Sequence, residues 1–340
     1  MRILVDIMSG DKAPLETFLG AYQAAEENPS IAFTFIGNEA ILRAIAEARA
    51  MNIDLPNIQL VHTEEVVTME DLPLTVVREK KDSSMGVGLK MLAEGKGDAF
   101  VSAGNTGALH AGSTLIVRRI KGIGKSAIAT VLPYQNPTLL IDSGANVEIS
   151  PETYVQFAQM GSIYMSRILK VDNPRVGLLN IGAERTKGTK TVAEAYRLLE
   201  TAEGINFIGN VEGKELPNGA CDVLVCDGFS GNIVLKLTEG CAAFLIGKLT
   251  DVFAANPVTK AAYLGVKPGL KKMKKSLSAS EYGGAPLLGL SRTVIKAHGS
   301  SDAYAFRNAV RQAIGCTENK VTYEIAKLVV PDLIPKDAEI

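Results

Sequence analysis

Short runs of apolar, β-branched and aromatic residues recur along the chain, and all but the one at 127–132 close on Gly or Asp. They fall at residues 3–6, 32–37, 99–104, 127–132, 138–142, 176–182, 206–209 and 223–228. Between them, apolar residues are spaced by three and four, as in Phe18, Tyr22 and Ala25, then Ile41, Ala44, Ile45 and Ala48. That is the period of a helix with one buried face. Continuous apolar strands alternating with such helices predict an α/β fold of three layers, a mainly parallel sheet covered by helices on both faces. In sheets of that kind the ligand lies beyond the carboxyl ends of the strands, so chemistry is sought at the strand-to-helix junctions. No internal repeat marks a boundary, and the 340 residues read as one domain, or as two lobes sharing one sheet.

One stretch departs from this rhythm. From Val252 to Ser280 there is no acidic residue, whereas Lys260, Lys267, Lys271, Lys272, Lys274 and Lys275 all fall there. The apolar helical segment from Cys241 to Leu249 precedes it, and Pro257, Pro268 and Gly269 punctuate it. A protruding, lysine-rich helical hairpin at about residues 240–280 fits this pattern. Tyr263, Leu264, Leu270 and Met273 alternate with the lysines. The segment therefore fits a solvated hairpin, a docking surface for an acidic carrier, or an interfacial contact with anionic lipid.

Composition narrows the function classes. Apolar residues make up 46% and charged residues 21%, as in a packed globular protein. A formal net charge of -1 gives no overall positive field, which argues against nucleic acid as a partner. The four cysteines form no CxxC pair and have no histidine at zinc-ligand spacing, so they read as reduced, mostly buried thiols of a cytoplasmic protein. Asp6 follows only three apolar residues, which does not fit a signal peptide. No run reaches the roughly 18–20 apolar residues of a membrane span.

Five junctions carry candidate chemistry. In Asp6-Ile-Met-Ser-Gly-Asp11 a small Ser-Gly pair separates two carboxylates, which fits a close ligand approach or a turn with an acidic helix cap. Ser102-Ala-Gly-Asn-Thr-Gly-Ala-Leu109 follows a strand. Its small residues, Gly104 and Gly107 among them, expose backbone N–H groups at a helix start, and Ser102, Asn105 and Thr106 add side-chain donors, a pattern that suits a phosphate. Asp142-Ser-Gly-Ala-Asn146 fits a sharp turn after a strand. In Asn180-Ile-Gly-Ala-Glu-Arg-Thr-Lys-Gly188, Lys187 stands close to a helix start, where a cation opposes the dipole unless an anion is near. In Asp222-Val-Leu-Val-Cys-Asp-Gly-Phe-Ser-Gly-Asn232, the Asn232 amide sits at a strand-end crevice as a candidate oxyanion donor, or as a helix cap. Further on lie a Gly-rich apolar loop, Glu281-Tyr-Gly-Gly-Ala-Pro-Leu-Leu-Gly289, and His298-Gly-Ser-Ser-Asp302.

Familiar alternatives are missing. Gly122, Gly124, Lys125 and Ser126 resemble the end of a P-loop, but Arg119 occupies the place of its first glycine. No GxGxxG follows a strand, no GxSxG elbow occurs, and His62, His110 and His298 show no recognisable nucleophile partner. Cys226, inside Val-Leu-Val-Cys, reads as core. Nothing calls for a metal or an organic cofactor.

Taken in order with Arg78-Glu-Lys-Lys-Asp-Ser-Ser-Met85, these segments resemble the phosphate acyltransferase family of bacterial phospholipid synthesis, over nearly the whole chain. The opening departs from the usual Asp-Ala-Met-Gly-Gly-Asp, with Ile7 and Ser9 in place of two small residues. The resemblance implies a fold similar to phosphate acetyltransferases and to isopropylmalate dehydrogenases, usually dimeric. It implies long-chain acyl-ACP and inorganic phosphate as substrates, and an acyl phosphate passed to a membrane glycerol-phosphate acyltransferase. Phosphate is then itself the nucleophile. In that scheme the 102–107 loop holds phosphate and Lys187 partly neutralises it. Asn232 donates to the developing oxyanion, while Asp6, Asp11 and Asp142 orient Lys187 and the loop amides. The acyl chain would lie along the 241–249 helix and the 287–290 loop. A peripheral contact at the inner face of the cell membrane fits the same scheme.

Overall fold

The computed structural model describes residues 1–276 and 279–329. The side chains of Lys272, Lys274 and Lys275, part of the lysine-rich expectation, lie outside what is described. The strands are β1 Arg2–Asp6, β2 Ala32–Gly37, β3 Ile58–His62, β4 Ala99–Ser102, β5 Ala127–Leu132, β6 Thr138–Ile141, β7 Arg175–Asn180, β8 Asn206–Glu212, β9 Val223–Val225, β10 Ala285–Leu288 and β11 Thr293–Lys296. The helices are α1 Leu15–Glu27, α2 Glu39–Ala48, α3 Thr75–Arg78, α4 Ser84–Ala93, α5 Thr106–Gly112, α6 Pro151–Ile168, α7 Lys190–Thr201, α8 Gly228–Ala254, α9 Pro257–Ser276, α10 Ala303–Glu318 and α11 Val321–Val329.

All eleven strands join one sheet, in the order β3-β2-β1-β4-β11-β10-β5-β6-β9-β7-β8. Seven of its ten pairings are parallel. The three antiparallel ones, β11–β10, β10–β5 and β5–β6, sit together in the middle. They divide the sheet into two parallel halves, one around β1, β4 and β11, the other around β6, β9 and β7. Most strands are buried on both faces, as a sheet covered by helices on both sides requires. One layer of the core gathers Phe18 and Tyr22 of α1, Phe157 and Tyr164 of α6, and Phe306 of α10. The other gathers Met85, Leu89, Ala108 and Leu109 beneath α4 and α5, with a smaller cluster under the start of α8.

Two glycines bring the loops at the strand ends into contact. Gly10 has φ +127°, and a Cβ there would stand 3.0 Å from the Ala103 Cβ, so only glycine lets the 7–11 turn lie on the loop after β4. At Gly231 a Cβ would fall 1.9 Å from the Asp142 carbonyl oxygen. The first turn of α8 therefore presses directly on the loop after β6, and Gly228 N–H donates to the Asn146 carbonyl at 2.7 Å.

Two features differ from the sequence reading, whereas the helical hairpin at about 240–280 is present. Leu287, Leu288 and Leu290, expected in an acyl groove, are buried at and beside β10, so that loop is core and offers no groove. The strands β3, β10 and β11 were not foreseen. The apolar helix expected at 241–249 is part of α8, which runs for 27 residues and packs on α9, with the Phe253 and Tyr263 rings 5.5 Å apart. Phe244, Leu245, Val252 and Leu264 remain exposed on this pair, as do Lys260, Lys267 and Lys271. Among the described residues no helix is long and apolar enough to cross a membrane.

Candidate active site

Three adjacent strand ends build one side of the site. In register, Ser102 of β4 stands opposite Lys296 of β11, while Asp6 ends β1 beside them. Asp6, fully buried, accepts the Ser102 hydroxyl at 2.7 Å and the Met8 N–H at 3.2 Å. The buried Ser9 and Ser84 hydroxyls lie around the same carboxylate without reaching hydrogen-bond geometry. Removal from water pushes the Asp6 carboxyl above its ordinary value, against these donors. Lys296, which the sequence reading missed, is 8% exposed and donates to the carbonyls of Ala103 and Ala297. Burial lowers its ammonium to about 8, opposed by the fields of Asp11 and Asp6. Its signal was present in the sequence: an apolar pair, Val294-Ile295, running directly into a lysine ahead of His298-Gly299.

Around this row the loops interlock. Asp11 N–H donates to the Gly299 carbonyl at 2.8 Å. His298 accepts the Ser300 N–H at Nδ1, 3.2 Å away, which leaves the proton of the neutral ring on Nε2. Desolvation lowers its pKa, and Glu239 and Lys236 of α8 lie within its field. The loop after β4 differs from expectation in where its side chains point. Ser102 is spent on Asp6 and on the Gly104 N–H, and Gly104 packs on Ser9 and Met85. Asn105 caps α5 by accepting the Ala108 N–H, while its amide donates to the carbonyls of Thr68, Met69 and Asp71. Toward the opening the loop offers backbone N–H groups of Thr106 and Gly107 and the exposed Thr106 hydroxyl.

The second side is organised by Asp142. Its buried carboxylate accepts N–H groups from Ile128, Gly144, Ala145 and Asn146, and the Asn146 amide, at 2.7 to 3.2 Å. It is saturated, so Asp142 and Asn146 shape the loop and have no capacity left to orient Lys187. Asn232 is exposed in the first turns of α8, and a Cβ added at Gly144 would meet its side chain at 3.5 Å. Asn232 and Lys236 are four residues apart and share a helix face. Lys236 contributes to the fields at Lys296 and His298. One stripe of α8 thus spans from the Asp142 loop to the Asp6–Ser102–Lys296 row.

Lys187 is placed differently. It precedes the Thr189 cap of α7 in an exposed loop, its Nζ 3.8 Å from a Glu184 carboxylate, and the Asn180 amide holds its carbonyl. No hydrogen bond or ion pair joins it to the rest of the site among the described residues. His110 has a partner the sequence concealed, the Ser126 hydroxyl at 3.1 Å from Nε2. Ser126 is buried, however, and the saturated Asp142 carboxylate supplies no third member of a relay. Cys226 is core, with its thiol pushed far above the usual range by burial. Among the described residues no group of three or more His, Cys, Asp or Glu could hold a metal.

The fold is one shared by phosphotransacetylases and by a dehydrogenase. The chain matches solved structures across almost its whole length. A phosphotransacetylase from Streptococcus pyogenes superposes with a TM-score of 0.60 at 13% identity, covering 95% of this chain and 94% of that one. The EutD phosphotransacetylase from Staphylococcus aureus gives 0.57 at 16% identity, covering 96% and 94%. At these identities the likeness concerns the fold alone. A family described as "Fatty acid synthesis protein" matches residues 1–324. Relatives called "Phosphate acyltransferase" include one from Alkaliphilus oremlandii, 48% identical over 330 residues, with 96% of this chain and 97% of the relative covered. Another from Clostridium acetobutylicum is 43% identical over 328 residues, covering 96% and 98%. The chain belongs to the phosphate acyltransferase family and is an acyltransferase.

The cost of burying Lys296 yields a prediction. Its folded value lies below the usual 10.5, so the fold bears the cost of the charged form in full below about pH 8. That cost is relieved as pH rises from about 8 toward 10.5. The shift bounds it at about 3 kcal/mol. By scanning calorimetry, Lys296→Met should unfold at or above the parent temperature at neutral pH, with its advantage narrowing as the pH is raised. A loss of several degrees at neutral pH would show that the ammonium is a net stabiliser.

Proposed function

We propose that this enzyme transfers a long-chain acyl group from the thioester of acyl carrier protein to inorganic phosphate, by direct attack and without an acyl-enzyme. The observation that supports this reading is one face of α8 carrying Asn232 and Lys236, with Lys236 within the field of the buried Lys296. No accessible, activated nucleophile accompanies it among the described residues. Phosphate would rest against the Thr106 and Gly107 amides, with the Lys296 ammonium and the nearby Lys236 offsetting its charge. A phosphate oxygen then attacks the carbonyl carbon. The new C–O bond forms as the carbonyl π pair moves to oxygen, and the Asn232 amide donates to that oxyanion. Collapse breaks the C–S bond, and the thiolate leaves with the carrier and takes up a proton. The products are an acyl phosphate and a free thiol.

In this scheme Asp6 and Asp11 hold Lys296 in place, and Asp142 and Asn146 fix the loop against which Asn232 stands. Lys187, exposed and only loosely paired with Glu184, supplies a second positive charge to phosphate if its loop folds over the bound substrate. The α8–α9 pair is the docking surface for the acidic carrier, and its exposed apolar residues suit the acyl chain, a second protomer in a homodimer, or the membrane surface where a glycerol-phosphate acyltransferase would take the product.

The test is acyl phosphate formation from palmitoyl-ACP and phosphate, with palmitoyl-CoA and acetyl-CoA in parallel. Phosphate-dependent product from the carrier substrate is expected; preference for acetyl-CoA would move the enzyme to short-chain chemistry. Asn232→Ala should fold normally and lose about 10²–10³ in kcat, and near-normal turnover would remove Asn232 from the oxyanion role. Raising salt to about 0.5 M should raise KM for palmitoyl-ACP, since exposed charges are screened over a few ångströms there; a salt-independent KM would dismiss the electrostatic docking surface.

A further inference from the structure

A cavity lies at the end of β4 and β11 opposite to Ser102 and Lys296. Asp98, just before β4, and Thr293, the first residue of β11, line it, whereas Ser102 and Lys296 end those strands. A strand rise of about 3.3 Å per residue separates the two by roughly 10–13 Å. The cavity measures about 520 Å³ and opens to solvent between the chain segments near residues 119–121, 291–293 and 316–326. Backbone pairing fixes those first two segments together: Ile120 N–H donates to the Gly289 carbonyl at 3.0 Å, and Ser291 N–H to the Arg118 carbonyl at 2.9 Å.

Four cations line it, Arg119, Lys121, Arg292 and Lys320. None of them forms an ion pair among the described residues, although most other arginines of the chain do. The one acid of the lining, Asp98, is turned to the backbone, accepting the Arg2 N–H at 2.6 Å. Isolated surface cations are ordinarily just solvated. Four of them drawn from three segments onto one concave surface, in a chain whose net charge is -1, repel one another unless an anion lies among them. The floor is of another character: Ile120 and Cys316 are buried there, with Ala326 and the Tyr323 ring beside them. The volume falls within the range of small-molecule sites and exceeds what a single phosphate ion fills. Arginine forks suit phosphate oxygens, and an apolar floor with an aromatic ring suits a flat organic body.

We infer that this cavity binds an organic diphosphate of the nucleotide class, at a site separate from the Asp6–Ser102–Lys296 row. The diphosphate lies among Arg119, Lys121, Arg292 and Lys320, and the body lies over Ile120 and Tyr323.

Titration calorimetry with ADP, inorganic pyrophosphate and adenosine tests this on the full chain. ADP should bind saturably, more tightly than pyrophosphate, and adenosine not at all, with ADP affinity falling as salt rises. The double variant Arg119→Gln/Arg292→Gln should weaken ADP at least tenfold, and Lys121→Gln/Lys320→Gln should weaken it in the same direction. These side chains are exposed and unpaired, so both variants should melt as the parent does. Lys296→Gln, at the other end of β11, should leave ADP binding unchanged. The inference is overturned if ADP shows no saturable binding at millimolar concentration, if adenosine binds as well as ADP, or if Lys296→Gln rather than the arginine variant abolishes binding. Equal affinity for pyrophosphate and ADP would remove the organic body from the assignment.

Discussion

A carboxylate withdrawn from water has to be met by donors or by a cation, and two such groups, Asp6 and Asp142, determine how the strand ends of this molecule are arranged. Asp142 meets the requirement with five N–H donors. To do so it winds residues 143–146 around itself, and that turn is the surface on which Gly228 and Gly231 seat the start of α8. Asp6 has fewer donors, and its carboxyl stays above its ordinary value. Its donors are the Ser102 hydroxyl on the neighbouring strand and the Met8 N–H, and its own field reaches Lys296 on the strand beyond. One carboxylate is thus a finished structural joint, and the other leaves a charged residue poised at the strand ends.

α8 connects these two arrangements. Its N-terminal turn is fixed by Asp142, its next turns present Asn232 and Lys236 along one face, and its far end leaves the body of the protein to pair with α9. A single helix thereby relates the Asp6–Ser102–Lys296 row to the exposed apolar and lysine-rich surface. A carrier seated on the hairpin would be held at a set distance from Asn232, which is the kind of positioning that direct transfer needs.

Much of this was legible in the chain. The apolar runs of β1, β2, β4 to β7 and β9 stand out because strands buried on both faces are nearly continuous in apolar residues. β3 escaped notice because Ile-Gln-Leu-Val-His is only half buried, and β10 because Gly283, Gly284 and Pro286 read as a loop. Missing β11 concealed Lys296, the buried cation of the site. The junctions at Asp6 and Ser102 meet through a hydrogen bond, and those at Asp142 and Asn232 through the seat of α8. The direction of short polar side chains was not legible. Ser102 and Asn105 turn inward to a carboxylate and to the 68–71 carbonyls, and only the folded loop decides whether such a donor faces a ligand or the protein. Nor could the sequence tell that Lys187 precedes its helix cap, where the dipole argument loses its force.

Direct transfer requires the enzyme to position phosphate and to contribute no nucleophile of its own. The most direct measurement is isotope exchange between labelled carrier thiol and unlabelled acyl-ACP in the absence of phosphate. Direct attack predicts no exchange until phosphate is added, because the thioester is never opened without it. Exchange without phosphate, accompanied by acylated protein in the mass spectrum, would contradict the account and direct attention to a nucleophile on the chain itself.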